Sequence, residues 1–187
     1  MSGRVVLLLG PSSVGKTAVA RRLQATLFGI WLLAGVDLFW AMLKESTLPE
    51  GGFRTDSDAM RRITRGWHRA VAALAREGND LLVDDLLVHS RWLDDWREAL
   101  SGVRWWSVLL KASPEVLSER ERGRGDRPPG LAASDRARSP VEGRFDLVID
   151  TEQIPVSACA LTIQRFLSES GSSSSLESAH PVIEEHT

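Results

Sequence analysis

The sequence predicts an α/β fold in which a parallel five-stranded sheet carries helices on both faces. The first observation is that five short apolar runs alternate with segments whose apolar residues recur at helical spacing. The second is a glycine-rich loop that follows the first run and directly precedes the first helical segment. The third is the length of 187 residues, which suits one domain rather than two.

The first strand and its loop are predicted from residues 4–9 and from the sequence Gly-Pro-Ser-Ser-Val-Gly-Lys-Thr that follows. This loop fits the pattern G-x-x-x-x-G-K-[ST] without a mismatch. Such a loop surrounds a phosphate with backbone N–H groups at the start of a helix. We expect Lys16 to contact the β and γ phosphates of a nucleotide and Thr17 to coordinate Mg²⁺. The other expected nucleotide-binding residues are Gly10, Ser12, Ser13, Val14 and Gly15.

The second strand is predicted over the apolar run from Ile30, which closes on Asp37. In an open parallel sheet, ligands bind at the carboxyl ends of the strands, so Asp37 is expected beside the phosphates. Two compatible interpretations are open for this carboxylate. It serves as a base or anchor for a hydroxyl group, or it caps the next helix.

Residues 46–58 contain Pro49, Gly51 and Gly52, show neither helical nor strand periodicity, and predict a loop over an acceptor site. Trp40 and Phe53 could stack on an acceptor ring or belong to the core. A helix is expected next, from Met60 to Leu74. Its arginine-rich face is interpreted as solvated surface rather than a binding site.

The third strand is predicted over residues 80–85 and ends in Asp84 and Asp85. Phosphate-loop proteins use an acid at the end of such a strand to hold Mg²⁺. Because successive side chains point to opposite faces, we assign Asp84 to the metal and Asp85 to the acceptor side. A helix cap or a turn is the alternative for either residue.

A helix from Trp92 to Leu100 and a fourth strand over residues 104–110 follow, and Ser113 with Pro114 marks the next helix start. Residues 119–138 then combine glycines and prolines with six arginines, which predicts a mobile arginine-rich lid. Guanidinium groups closing over a phosphoryl group stabilise its transition-state charge. The alternative is an exposed loop with surface ion pairs.

The fifth strand is predicted over residues 145–151, and a closing helix from Val156 to Phe166. The domain is therefore expected to span residues 1–168, while the serine-rich segment 169–187 is expected to be a disordered tail.

The net charge of −2 argues against nucleic acid as a main partner. A single cysteine, Cys159, excludes an intramolecular disulfide, and its apolar neighbours predict a buried small side chain. The first strand begins almost at once, which leaves no room for a signal peptide, and no apolar run reaches membrane-span length. We therefore expect a cytoplasmic protein with no membrane partner.

These segments together resemble small nucleoside-monophosphate-type kinases and, more narrowly, the chloramphenicol phosphotransferase family, which inactivates a hydroxylated antibiotic by O-phosphorylation. The similarity covers about residues 4–165. It is carried by residues 10–17, Gly35-Val36-Asp37, Leu82-Val83-Asp84-Asp85, Arg124-Gly125-Asp126-Arg127 with Gly130, and Phe145-Asp146 with Asp150-Thr151.

The resemblance implies a P-loop kinase-like fold in which Lys16 and Thr17 hold the nucleotide phosphates and Mg²⁺. It also implies that Asp37 is the base for the acceptor hydroxyl. The lid over the nucleotide would contain Arg120, Arg124 and Arg127. ATP is the default phosphoryl donor and GTP is the alternative, because the loop reads phosphates rather than the purine.

The acceptor stays open, because residues 38–65 and the segment after Gly130 carry little of the family pattern. Chloramphenicol, a nucleoside antibiotic or an aminosugar compound would each supply a hydroxyl. A metabolic kinase acting on a sugar, a shikimate-type acid or a nucleotide would use the same parts. A nucleotide-dependent regulatory ATPase without an acceptor is the third interpretation.

Overall fold

The computed structural model describes residues 2–43, 58–86, 90–123 and 144–172. Five strands alternate with six helices in this part of the chain. In chain order they are β1 Arg4–Leu9, α1 Lys16–Thr26, β2 Trp31–Gly35, α2 Val36–Trp40, α3 Asp58–Arg76, β3 Asp80–Asp85, α4 Ser90–Ala99, β4 Arg104–Lys111, α5 Pro114–Arg122, β5 Leu147–Asp150 and α6 Val156–Ser172. Most of the expected acceptor loop, with Phe53, and most of the expected lid, with Arg124 and Arg127, lie outside the described residues.

The strands form one sheet in the order β2-β3-β1-β4-β5, and every neighbouring pair is parallel. This confirms the predicted parallel five-stranded sheet. The central strand β1 pairs with β3 so that Leu8 lies opposite Asp84, and Leu9 opposite Asp85. The loop after β1 therefore leaves the sheet next to the two acids at the end of β3.

The central strand is buried on both faces, because residues 5–9 are each 0% exposed. Val5, Leu7 and Leu9 pack with α3 and α4 on one face. Val6 and Leu8 pack with α1 and α6 on the other. Burial on both faces explains why this strand is a continuous apolar run rather than an alternating one.

The second strand ends two residues before Asp37, which differs from the expectation of a strand running up to this acid. Its pairing with β3 stops at Gly35 opposite Asp84, and α2 begins at Val36. The cap of α2 is Gly35, without a side-chain bond, so the interpretation of Asp37 as the cap is wrong. Asp37 instead occupies the first turn, where a negative charge is favoured by the helix dipole.

The closing helix runs to Ser172, so the first four residues of the expected tail are helical. The guanidinium of Arg104 donates to the carbonyl oxygen of Ser170 at 2.7 Å. A cation at this end satisfies a carbonyl that has no partner within the helix and complements the helix dipole. Residues 173–187 lie outside the described part of the chain. None of the described helices is long and apolar enough to cross a bilayer.

Candidate active site

The loop after β1 curls tightly and requires backbone conformations that favour glycine. Gly10 has φ of 145° and Gly15 has φ of 102°, while Ser13 lies in the left-handed region at 63°. A Cβ atom on Gly10 would lie 2.3 Å from the carbonyl oxygen of Leu110 in β4. Gly10 therefore makes the turn, and the residues after it form the concave surface.

Helix α1 begins at Lys16, immediately behind the loop, and no acidic residue occupies its first turn. Its positive end is therefore available to an anion. The hydroxyl of Ser13 is buried and has no hydrogen-bond partner among the described residues. Because Ser13 also lines the cavity in front of the loop, this hydroxyl is suited to bond a phosphate oxygen.

The side chain of Lys16 lies across the loop and is only 7% exposed. Its Nζ donates to the carbonyl oxygens of Gly10 at 3.0 Å and Pro11 at 2.9 Å. It also lies 3.9 Å from Oδ1 of Asp84. The ammonium group is thus held between the loop and the acid that ends β3.

Asp84 faces the same loop, because its Oδ2 accepts a hydrogen bond from the hydroxyl of Thr17. The hydroxyl oxygen of Thr17 and the carboxylate oxygen of Asp84 are both hard ligands of the kind that Mg²⁺ prefers. Among the described residues no group of three or more His, Cys, Asp or Glu could hold a metal by itself. Mg²⁺ is usually bound through one or two protein oxygens together with phosphates and water. Thr17 and Asp84 fit this ion.

A cavity of about 700 Å³ opens in front of the loop, and this volume falls within the usual range for small-molecule sites. One wall consists of residues 12–17 with Asp84. Asp37 and Gly35 contribute from the end of β2 and the start of α2. Asp37 is exposed, so the cavity brings an exposed carboxylate together with the phosphate loop and with Asp84.

Arg120, the only one of the three predicted lid arginines within the described residues, lines this cavity from α5. Its guanidinium donates to the hydroxyl of Thr151 at 2.9 Å and to the carbonyl oxygen of Thr151 at 2.7 Å. A longer bond of 3.4 Å reaches the carbonyl oxygen of Val14. Arg120 therefore ties α5, the phosphate loop and the end of β5 together at the edge of the cavity.

Asp85 was expected on the acceptor side, and the structure places it elsewhere. It is 1% exposed, lies on the opposite face of the sheet from Asp84, and accepts a bond from Nε1 of Trp96 in α4. Trp40 is partly buried against the same core and is not among the described residues that line the cavity. This agrees with its interpretation as a core residue.

Several residues that line the cavity were not foreseen as site residues. Thr151 follows β5, so the rule that ligands meet the carboxyl ends of strands could have found it. Cys159 in α6 is buried as expected, but it also lines the cavity. Burial raises the pKa of this thiol. The remaining members are Ala18, Val19, Arg21, Val36, Leu86, Gly123, Ile154, Pro155 and Val156.

Comparison of the sequence with known proteins gives a clear relative. The provisionally named O-phosphotransferase Rv2636 of Mycobacterium tuberculosis is 29% identical over 174 residues, covering 82% of this chain and 77% of that protein.

Solved structures share the fold at low identity. A Janibacter sugar kinase has a TM-score of 0.73 at 21% identity, over 89% of this chain and 95% of its own. The APS kinase CysC of Mycobacterium tuberculosis, solved with AMPPNP and APS, has a TM-score of 0.70 at 19% identity, over 89% of this chain and 98% of its own. The tunicamycin resistance protein of Deinococcus radiodurans has a TM-score of 0.65 at 21% identity, over 90% of this chain and 96% of its own. These likenesses establish a kinase fold.

The sequence profile described as chloramphenicol phosphotransferase-like protein matches residues 3–168. This range includes the phosphate loop, both acids of β3 and all described lining residues of the cavity. The chain belongs to the chloramphenicol phosphotransferase-like family and has the fold of a P-loop kinase.

Proposed function

We propose that this protein is a Mg²⁺-dependent O-phosphotransferase that moves the γ-phosphoryl group of ATP to a hydroxyl of a small antibiotic, and that it acts in the cytoplasm. The acceptor would be a chloramphenicol-like or nucleoside antibiotic, and GTP is the alternative donor. The observation that carries the proposal is the exposed carboxylate of Asp37 in the cavity that also contains the phosphate loop. A nucleotide switch without an acceptor has no need of such a group.

The phosphate loop supplies the donor half of the reaction. Backbone N–H groups of residues 12–17 and the ammonium of Lys16 would hold the triphosphate, and the Ser13 hydroxyl would add a hydrogen bond. Thr17 and Asp84 would hold Mg²⁺, which neutralises charge on the phosphate oxygens when bound. Arg120, with Arg124 and Arg127 by resemblance to the family, would stabilise charge on the transferred group.

Asp37 supplies the acceptor half. Its carboxylate would accept a hydrogen bond from the acceptor hydroxyl and take its proton as the new oxygen–phosphorus bond forms. The bond between the γ-phosphorus and the bridging oxygen breaks, and the nucleoside diphosphate leaves with that electron pair. Positioning and electrostatic stabilisation supply most of the rate in this class of reaction, so a late proton transfer to Asp37 is sufficient.

Among the described residues, Arg21 and Arg120 line the cavity, whereas the arginines of α3 that an acidic acceptor could use do not. A phosphate or carboxylate acceptor calls for arginines that converge on its pocket. In the described part of α3, Arg61 pairs with Asp58, and Arg65 lies 3.4 Å from Glu98; both arginines are exposed and away from the cavity. Family membership then directs the choice towards an antibiotic.

Mass spectrometry of candidate acceptors incubated with the protein, Mg²⁺ and ATP or GTP tests the proposal. A gain of ~80 Da, one phosphoryl group, is expected on a hydroxylated antibiotic with the wild-type protein and is lost in Asp37→Asn. Asp94→Asn is the matched control, because it changes an exposed aspartate whose partner is Arg97 on α4. Phosphorylation of sugars or shikimate-type acids instead would identify a metabolic kinase. Nucleotide hydrolysis that no acceptor stimulates would refute the proposal.

A further inference from the structure

A buried polar cluster lies behind Asp84, the acid that faces the phosphate loop. It consists of Asp85 at the end of β3, Trp96 in α4 and His68 in α3, and each of these residues is at most 1% exposed. The His68 ring lies on the Trp96 ring with centroids 3.9 Å apart. The proposed reaction uses none of these side chains directly.

The Asp85 carboxylate is fully engaged within this cluster. Its Oδ2 accepts a hydrogen bond from Trp96 Nε1 at 2.9 Å and lies 3.6 Å from Nε2 of His68. Its Oδ1 accepts from the backbone N–H of Leu86 at 2.8 Å. A buried carboxylate is costly unless its oxygens are bonded, so these donors hold the group in one orientation.

The bond to Leu86 connects the cluster to the cavity. It fixes the backbone at the point where β3 ends, directly after Asp84. Leu86 itself lines the cavity, and Asp84 contacts Thr17 there. Because neighbouring residues of a strand point to opposite faces, anchoring Asp85 on the core side sets the direction of Asp84 on the cavity side.

We infer that Asp85 and Trp96 are positioning residues that orient Asp84 for Mg²⁺ and thereby set the affinity for metal-bound nucleotide. The inference rests on the assignment of Mg²⁺ to Thr17 and Asp84 in the proposed function. Residues that orient a metal ligand from behind commonly change metal affinity by about 10- to 100-fold when they are replaced.

Binding of the analogue AMP-PNP, measured by calorimetry with Mg²⁺ and again with EDTA, separates this role from a general structural one. For Asp85→Asn we expect the affinity with Mg²⁺, divided by the affinity in EDTA, to fall about tenfold. The affinity measured in EDTA itself should stay near the wild-type value. Trp96→Phe keeps the ring against His68 but removes the donor, so a smaller decrease in the same ratio is expected.

Trp67→Phe is the matched control, because Nε1 of Trp67 has no hydrogen-bond partner among the described residues and the ring lies 6.4 Å from that of Trp96. Its ratio is expected to stay unchanged. The inference would be overturned if the ratio stayed unchanged in Asp85→Asn, including the case in which affinity falls equally with and without metal. A Trp67→Phe effect as large as that of Trp96→Phe would also overturn it. Failure of Mg²⁺ to enhance binding to the wild-type protein would instead refute the metal assignment in the proposed function.

Discussion

Adding one methyl group to each of two glycines is expected to change stability in opposite directions. Gly10 lies in the phosphate loop with φ of 145°, and a Cβ there would lie 2.3 Å from the backbone oxygen of Leu110. Gly66 lies within α3, is exposed, and a Cβ there would meet nothing within 4 Å. The chemical change is identical, so only the surroundings differ.

The magnitudes follow from these surroundings. In Gly10→Ala the unfavourable backbone conformation costs about 1–3 kcal/mol. Forcing the loop and β4 apart adds about 1–3 kcal/mol, since backbone atoms cannot rotate away like a side chain. The sum of about 2–6 kcal/mol is a large part of a typical domain's stability. Gly66→Ala should instead raise the free energy of unfolding by about 0.5–1 kcal/mol, because alanine is the better helix former.

Urea unfolding followed by tryptophan fluorescence measures both variants, and AMP-PNP binding gives a second readout. We expect Gly10→Ala to unfold at lower urea and to bind the nucleotide more weakly, since the loop must move. Gly66→Ala should unfold at higher urea with unchanged binding. A Gly10→Ala protein as stable as the wild type, with the same nucleotide affinity, would refute the described packing of the loop against β4.

Two further predictions concern a surface ion pair and the cavity edge. Burial alone would raise the pKa of Asp80, but hydrogen bonds from the Arg4 guanidinium and backbone, with the Arg4 charge, lower it below its ordinary value. This pair should therefore stabilise the fold above pH ~4 by up to about 1 kcal/mol and lose that contribution as the pH falls through the lower folded-state pKa. Urea unfolding at pH 7 and pH 3 should show that Asp80→Asn loses less stability relative to the wild type at pH 3 than at pH 7; an equal loss at both would contradict this. Arg120→Met removes the bonds to Thr151 and Val14 together with a cation at the cavity edge. Because hydrogen bonds to charged groups contribute about 1.5–3 kcal/mol, AMP-PNP binding should weaken about 10- to 100-fold, whereas exposed Arg122→Met should leave it unchanged. Equal affinities of the two variants in a binding titration would exclude this role.

The parts of the site that follow from short stretches of sequence were predictable. The phosphate loop is such a case, because its strand, turn and helix start are contiguous, and Lys16 and Thr17 lie in the cavity wall. The five parallel strands followed from their apolar runs. Alternation along β3 also predicted that Asp84 and Asp85 would face different ways, and Asp84 lies at the loop as expected.

The rest depends on which elements the fold brings together. Asp85 lies on the core side because α3 and α4 cover that face of the sheet, and its partner Trp96 is a residue of α4. The position of Thr151 beside Arg120 likewise requires β5 to lie at the end of the sheet next to β4. Asp37 was placed at the correct end of its strand, but the helix that begins at Val36 is set by where pairing with β3 stops.

The central position of β1 has a consequence for synthesis of the protein on the ribosome. This strand and its loop are made before both of the strand's neighbours, which come from residues 80–85 and 104–111. Until both have left the exit tunnel, the nascent chain exposes an apolar strand with unpaired edges, which is the kind of segment that chaperones protect from aggregation. The nucleotide-binding motif at residues 10–17 therefore gains its sheet only after β4 has been made, more than 80 residues later in the chain.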